Sequence, residues 1–149
     1  MGQEERRAAV TALVGLAGSR DYRDRADAGR AMSSFADVPG AAATLLGLVL
    51  DGGDTFVTRM TAEALLRPRD DVGLAVIAEA LVAADSQRSS HIHAAVLDVF
   101  GIFASERDDA TRTCEALATD PNERVRQGAD VLLEMLNEIN PVLYPERGY

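Results

Sequence analysis

Two histidines, His91 and His93, are the residues of this sequence best suited to bind a metal ion. Residues two positions apart on a helix point about 200° apart, so both imidazoles could reach one ion only if the helix bent. Asp98 stands seven positions after His91, on the same helical face. Two such groups are fewer ligands than a zinc site needs, and the sequence therefore predicts no metal site.

Other patterns that could carry chemistry are missing or have a structural explanation. Gly52-Gly53 falls between two predicted helices and indicates a turn rather than a phosphate-binding loop. Cys114 is the only cysteine, which excludes an intramolecular disulfide, and we expect it to be a small buried residue on the seventh helix. No spacing suggests a Ser-His-Asp or Cys-His arrangement. We therefore predict no catalytic residue, no cofactor and no enzymatic activity.

The charge of the chain excludes one class of partner. Its 149 residues carry a formal net charge of −9, residues 71–149 account for −8 of it, and all fifteen basic residues are Arg. Such a field opposes nucleic acid, whose affinity for proteins comes chiefly from cationic contacts with phosphate. No stretch approaches the roughly 20 uninterrupted apolar residues of a membrane span, and the first seven residues lack a secretory pattern. We expect no membrane association and a cytoplasmic location.

The elements that would position these residues follow from a repeat. The pattern Arg-x-x-Ala-x-x-Ala/Leu, with His for Arg in the third copy, begins at Arg25, Arg59, His91 and Arg126, at intervals of 34, 32 and 35 residues. This period is typical of stacked two-helix units. It predicts one all-α domain, residues 1–149, folded as a short right-handed α–α superhelix (solenoid) of four antiparallel hairpins and eight helices. The units span about 3–36, 38–67, 70–104 and 107–140, and a nonhelical tail follows at 141–149.

Several acids are predicted to start helices. Asp54 precedes the fourth helix, and Asp70 or Asp71 starts the fifth. Asp37 is predicted to cap a third helix over about 38–50, with Pro39 in its first turn. Residues 120–123, Asp-Pro-Asn-Glu, fit an N-cap, a proline at the first helical position and a capping-box acid.

Residues 120–129, Asp-Pro-Asn-Glu-Arg-Val-Arg-Gln-Gly-Ala, resemble the signature of HEAT and HEAT-like repeats, and residues 54–62 and 21–28 are weaker copies. The third unit departs from it, since Ser90-His91 stands where Val-Arg would be. The resemblance implies a family of scaffolds, adaptors, inhibitors and a few enzymes. In this motif the Arg can reach the Asp of a neighbouring unit and form a ladder, which predicts a structural role for Arg59 and Arg126.

In this architecture the second helix of each unit lines the concave face, which is where we expect a partner. Helix six is apolar nearly all round, which either reflects burial alone or leaves an apolar strip exposed across helices four and six. Its apolar residues form two groups, one of Ile92, Val96, Val99, Phe100 and Phe103 and a smoother one that includes Ala94 and Leu97. The last helix presents acids at i, i+4 and i+8, namely Asp130, Glu134 and Glu138. The candidate partner-binding residues are Phe56, Met60, Glu63, Arg67, His91, Asp98, Asp130 and Glu134.

The last unit has no neighbour to cover it. We expect residues 142–144, Val-Leu-Tyr, to fold back over Met135 and Ile139 as a cap; the alternative is a surface for self-association.

The hypothesis that these features favour is a noncatalytic scaffold or adaptor that binds a peptide or helix on the concave face, as a monomer or weak homodimer. An acidic inhibitor or immunity-type protein that masks a basic surface is the alternative. A HEAT-like DNA glycosylase is less favoured, because it would need a basic face and aromatic residues around a flipped base. A bilin-lyase-like enzyme is also less favoured.

Overall fold

The computed structural model describes residues 1–144, so residues 145–149 of the predicted nonhelical tail lie outside the described residues. The predicted all-α class is confirmed, since within this range eight α-helices form and no strand does. A short 3-10 turn, Ser33–Phe35, extends the second helix. The helices are α1 (Gln3–Ala17), α2 (Tyr22–Met32), α3 (Ala41–Val49), α4 (Thr55–Leu66), α5 (Asp71–Ala83), α6 (Ser86–Phe100), α7 (Ala104–Leu117) and α8 (Glu123–Glu138).

The helices stack in two layers. One layer contains α2, α4 and α6, with α4 in the middle, and the other contains α1, α3, α5 and α7. The largest core cluster runs through both layers, and its bulkiest fully buried side chains include Phe100, Leu45, Leu74, Ile77 and Leu132. The arrangement of the units as a superhelix, and the handedness of that superhelix, stay predictions.

The last helix departs from the equal units that the repeat predicts. α8 packs mainly against α5 and α7, and it contacts α6 only weakly. The close approach depends on Gly128, where an added Cβ would lie 1.7 Å from the carbonyl oxygen of Ala78 on α5. A side chain of any size at this position would hold the two helices apart.

Two predicted caps are confirmed and two are wrong. Asp54 and Asp70 accept N–H bonds at the starts of α4 and α5, as predicted. α3, however, begins only at Ala41, after Gly40 adopts a left-handed φ of 90°, so Pro39 lies in the preceding turn. Asp37 does not cap the helix and instead pairs with Arg6, whose guanidinium lies 2.6 Å from the Asp37 carboxylate.

The start of α8 also differs from the prediction. Asn122, not Asp120, is the N-cap, and its side chain accepts N–H bonds from Arg124 and Val125. Asp120 instead accepts the N–H of Asn122 and shapes the turn one step earlier. Pro121 therefore precedes the cap and does not occupy the first helical position.

The boundary between the third and fourth units lies earlier than predicted. α6 begins at Ser86, where Asp85 caps it by accepting the N–H of Arg88, and it ends at Phe100. α7 begins at Ala104, whereas the fourth unit was predicted to begin near residue 107, and three residues connect α6 and α7.

Candidate functional site

The solvent-facing side of α2, α4 and α6, called here the even-helix face, carries most of the candidate residues. The rotation of α6 about its own axis determines which side chains this helix contributes to the face. Ile92, Ala95, Val96, Val99 and Phe100 are buried, which turns His93, Leu97 and Asp98 toward solvent and leaves Ala94 half-buried. Leu97 is 53% exposed, the largest exposed fraction among the large apolar side chains inside the described helices.

Phe103 does not share the buried face of α6 with Ile92 and Phe100. It lies beyond the end of the helix and is 47% exposed. The apolar periodicity of α6 therefore stops at Phe100, where the chain turns into the short connection to α7.

An aromatic cluster forms one end of the even-helix face. The rings of Phe56 on α4 and Tyr22 on α2 meet edge to face, with their centroids 5.8 Å apart. The guanidinium of Arg30 lies 5.9 Å from the centroid of Phe56. Phe56 is a candidate that the sequence identified. Tyr22 was missed because it opens α2, one position after the capping Asp21, where the sequence signal is that of a turn.

The centre of the face is formed by α4 and α6. Arg59 pairs with Asp98 across the two helices. Met60 is half-buried and packs against the small cluster of Ala26, Ala28, Leu48 and Val57. Glu63 and Arg67, one turn apart, approach to 4.0 Å. The face thus brings Phe56, Met60, Glu63, Arg67 and Asp98 onto two adjoining helices.

The histidines of α6 are held apart, as the helical geometry requires. His91 is half-buried, whereas His93 points to solvent and its Nε2 lies 3.9 Å from a carboxylate oxygen of Glu138. This contact joins α6 to the end of α8. Among the described residues no group of three or more His, Cys, Asp or Glu is placed to hold a metal ion.

The acids of α8 lie beside this contact rather than within the layer of α2, α4 and α6. Asp130, Glu134 and Glu138 are all exposed and succeed one another at intervals of one turn. Val131, 38% exposed, lies next to them. The candidates Asp130 and Glu134 therefore belong to a separate helix that adjoins the even-helix face through the His93–Glu138 contact.

Among the described residues, the predicted ladder, an arginine of the repeat bonded to an acid in the turn of a neighbouring unit, forms between the first two units alone. Arg25 donates two hydrogen bonds to Asp51 of the next turn, at 2.9 and 3.1 Å. Burial raises the pKa of Asp51, but the bonds from Arg25 and from the N–H groups of Asp54 and Gly53 outweigh it, and the pKa lies below its ordinary value. This pair fixes the turn between α3 and α4.

Arg126 and Arg59 do not bond a turn acid of a neighbouring unit as Arg25 does. Arg126 donates to the carbonyls of Asp120 and Pro121 in the turn of its own unit, and Arg25 makes the equivalent pair of bonds to Ser19 and Arg20. Arg59 crosses to Asp98 instead, and its Nε is buried without a hydrogen-bond partner in the described part of the chain.

The tail does fold back, but through paired backbone, and its side chains do not form the buried cap that was predicted over Met135 and Ile139. Within residues 141–144 it pairs with the connection between α6 and α7. The N–H groups of Val142 and Leu143 donate to Gly101 and Ile102, and Leu143 accepts the first N–H of α7, from Ala104, at 2.9 Å. The side chains at positions 142–144 stay exposed. The tail thus replaces the side-chain cap that Phe103 cannot supply to α7.

The only thiol offers no reactive group. Cys114 lies on α7 and is fully buried, as predicted. Burial raises its pKa to about 12, and the negative charge of Glu115 adds to the shift. A thiol in this state carries almost no thiolate at neutral pH and is a poor nucleophile.

Comparisons with known proteins add a structural neighbour but no family. No protein-family model matches the chain, and no curated protein sequence matches it. The crystal structure of an engineered protein is similar with a TM-score of 0.38 and 22% identity, over 86% of this chain and 62% of the engineered one. This chain therefore spans less than two thirds of that protein's length. Among the residues described, no helix is both long and apolar enough to cross a membrane.

Proposed function

We propose that this chain is a noncatalytic protein-binding module of the HEAT-like type, a scaffold or adaptor that seats a peptide or helix on its even-helix face. The observation that carries the proposal is the 53% exposure of Leu97 in the middle of α6, a helix that α8 contacts only weakly. Phe56, 40% exposed, adds an aromatic anchor on the neighbouring helix. Exposed apolar side chains framed by polar ones are typical of surfaces that bind another protein.

The polar frame of this surface supports the same role. The Arg59–Asp98 pair lies one position from Leu97, and the Arg67–Glu63 pair continues along α4. Paired charges around an apolar centre are typical of an interface rim, where they exclude water from the anchors without binding tightly themselves. Aromatic and long apolar side chains carry most of the binding energy in such interfaces.

The proposal is tested by selecting peptides from a random display library against the protein and measuring their affinities by fluorescence anisotropy. Burial of a leucine side chain contributes about 1.5–3 kcal/mol, so Leu97→Ser should weaken the selected peptides by about tenfold or more. Val82→Ser is the matched control, because Val82 is 39% exposed on α5, in the other layer. Selected peptides that bind the two variants equally would contradict the proposal.

The second candidate, an acidic inhibitor that masks a basic surface, is favoured by the three exposed acids of α8. In that role Leu97 would have no part, and binding would depend on charge alone. Selected ligands that are insensitive to Leu97→Ser but lose affinity steeply as salt is raised would support this candidate in place of the first.

A further inference from the structure

The acids on the even-helix face and those on α8 differ in how their charge is balanced. On the face, three acids have an arginine within reach: Asp98 pairs with Arg59, Glu63 with Arg67, and Asp27 with Arg30 at 3.7 Å. A fourth acid of α2, Asp24, accepts a hydrogen bond from Ser19. On α8, Asp130 and Glu134 have no cationic partner within the described residues, and Glu138 approaches only His93. The three acids of α8 thus add negative charge that no arginine balances at one edge of the apolar surface.

This edge is continuous with the apolar centre. His93, which contacts Glu138 at 3.9 Å, lies one helical turn before Leu97 on the same line of α6. Carboxylates four residues apart on a helix are separated by about 6 Å along its axis. A second helix laid against Leu97 could therefore present basic side chains at the same interval toward Asp130, Glu134 and Glu138.

We infer that the segment bound on the even-helix face is a basic amphipathic helix, with its apolar side on Leu97 and Phe56 and its Arg or Lys residues against the acids of α8. The inference rests on the proposed function and names the chemistry of its partner. Charge also favours one of two possible occupants of this face, a basic segment or a second copy of this chain. A second copy of this chain would bring a further net charge of −9 and a second acidic edge to the same surface, whereas a basic segment neutralises it.

The decisive variant is the triple substitution Asp130→Asn, Glu134→Gln and Glu138→Gln, compared with the wild type for the peptides selected as above. The control triple Glu4→Gln, Glu5→Gln and Glu115→Gln removes the same charge from exposed positions of α1 and α7. Each exposed ion pair contributes about two- to threefold in affinity. We expect selected peptides rich in Arg and Lys, about a tenfold loss with the α8 triple at low salt, and little change with the control.

Different results would overturn the basic partner and the binding face. Peptides that depend on Leu97 but carry no basic excess, or that bind the α8 triple as tightly as the wild type, would overturn the basic partner and leave the binding face intact. A wild-type dimer in sedimentation velocity that Leu97→Ser dissociates would overturn it too, because a second copy would then cover the face. Circular dichroism of each variant confirms that the helices are retained.

Discussion

The contact between α5 and α8 makes a sharp prediction about Gly128. A Cβ built at this position lies 1.7, 2.2 and 2.7 Å from the carbonyl oxygen, carbonyl carbon and Cα of Ala78. Carbon atoms in contact lie about 3.5–4.0 Å apart, so Gly128→Ala must separate the helices by roughly 1.5–2 Å. The obstacle is backbone, which cannot rotate away as a flexible side chain would.

The expected cost follows from two opposing effects. Overpacking of a well-packed core costs about 3 kcal/mol at the upper end of its usual range. Replacement of glycine by alanine inside a helix raises the free energy of unfolding by about 1 kcal/mol, because alanine has the higher helix propensity. The net loss of about 2 kcal/mol should lower the melting temperature by about 4–8 °C in a chain of this size.

Thermal unfolding followed by circular dichroism at 222 nm measures this loss, at a wavelength where the helical signal is large. Gly47→Ala is the control, because Gly47 lies inside α3 with nothing within 4 Å of an added Cβ. This variant should gain about 0.5–1 kcal/mol instead. If Gly128→Ala melts at or above the wild-type temperature while Gly47→Ala is stabilised, the close packing of α8 on α5 is refuted.

Two further predictions concern the turn and the tail. The lowered pKa of Asp51 means that its ionised form stabilises the fold fully above the ordinary pKa of an aspartate, about 3.9, and that this stability is lost as the pH falls toward and through the lower folded-state value. Asp51→Asn should therefore lower the free energy of unfolding by about 2–3 kcal/mol at pH 7 and by less at pH 3, in urea titrations at the two pH values. Deletion of residues 141–149 should lower the free energy of unfolding by about 1–2 kcal/mol relative to deletion of 145–149 alone, because only the longer deletion removes the three backbone hydrogen bonds to residues 101–104. Equal melting temperatures for the two truncations would count against the capping role of the tail.

Local signals in the sequence predicted most helix starts, because an acid just before a helix acts through its own backbone neighbours. Asp54 and Asp70 are such cases. The prediction failed for Asp37, where a residue 31 positions away competes for the carboxylate. A contact between α1 and the turn before α3 cannot be derived from the spacing of residues within that turn.

The candidate site was predictable only in part, for a related reason. The periodicity of α4 placed Phe56, Met60, Glu63 and Arg67 on one line, and a single helix determines that line by itself. The apolar pattern of α6 left two faces of similar hydrophobicity, and the sequence alone could not choose between them. The choice depends on which face α4 covers, and the burial of Ile92, Val96 and Phe100 turns Leu97 outward.

The outer side of α6, in the third unit, is uncovered because the fourth unit packs mainly against α5. In a uniform stack the second helices would follow one another, and α8 would lie against α6 as α6 lies against α4. Gly128 lets α8 fit against Ala78 of α5 instead, and α6 keeps only a weak contact with it, to which the His93–Glu138 pair belongs. One missing side chain on α8 thus leaves the outer side of α6 uncovered, with Leu97 exposed and the acids of α8 along its edge.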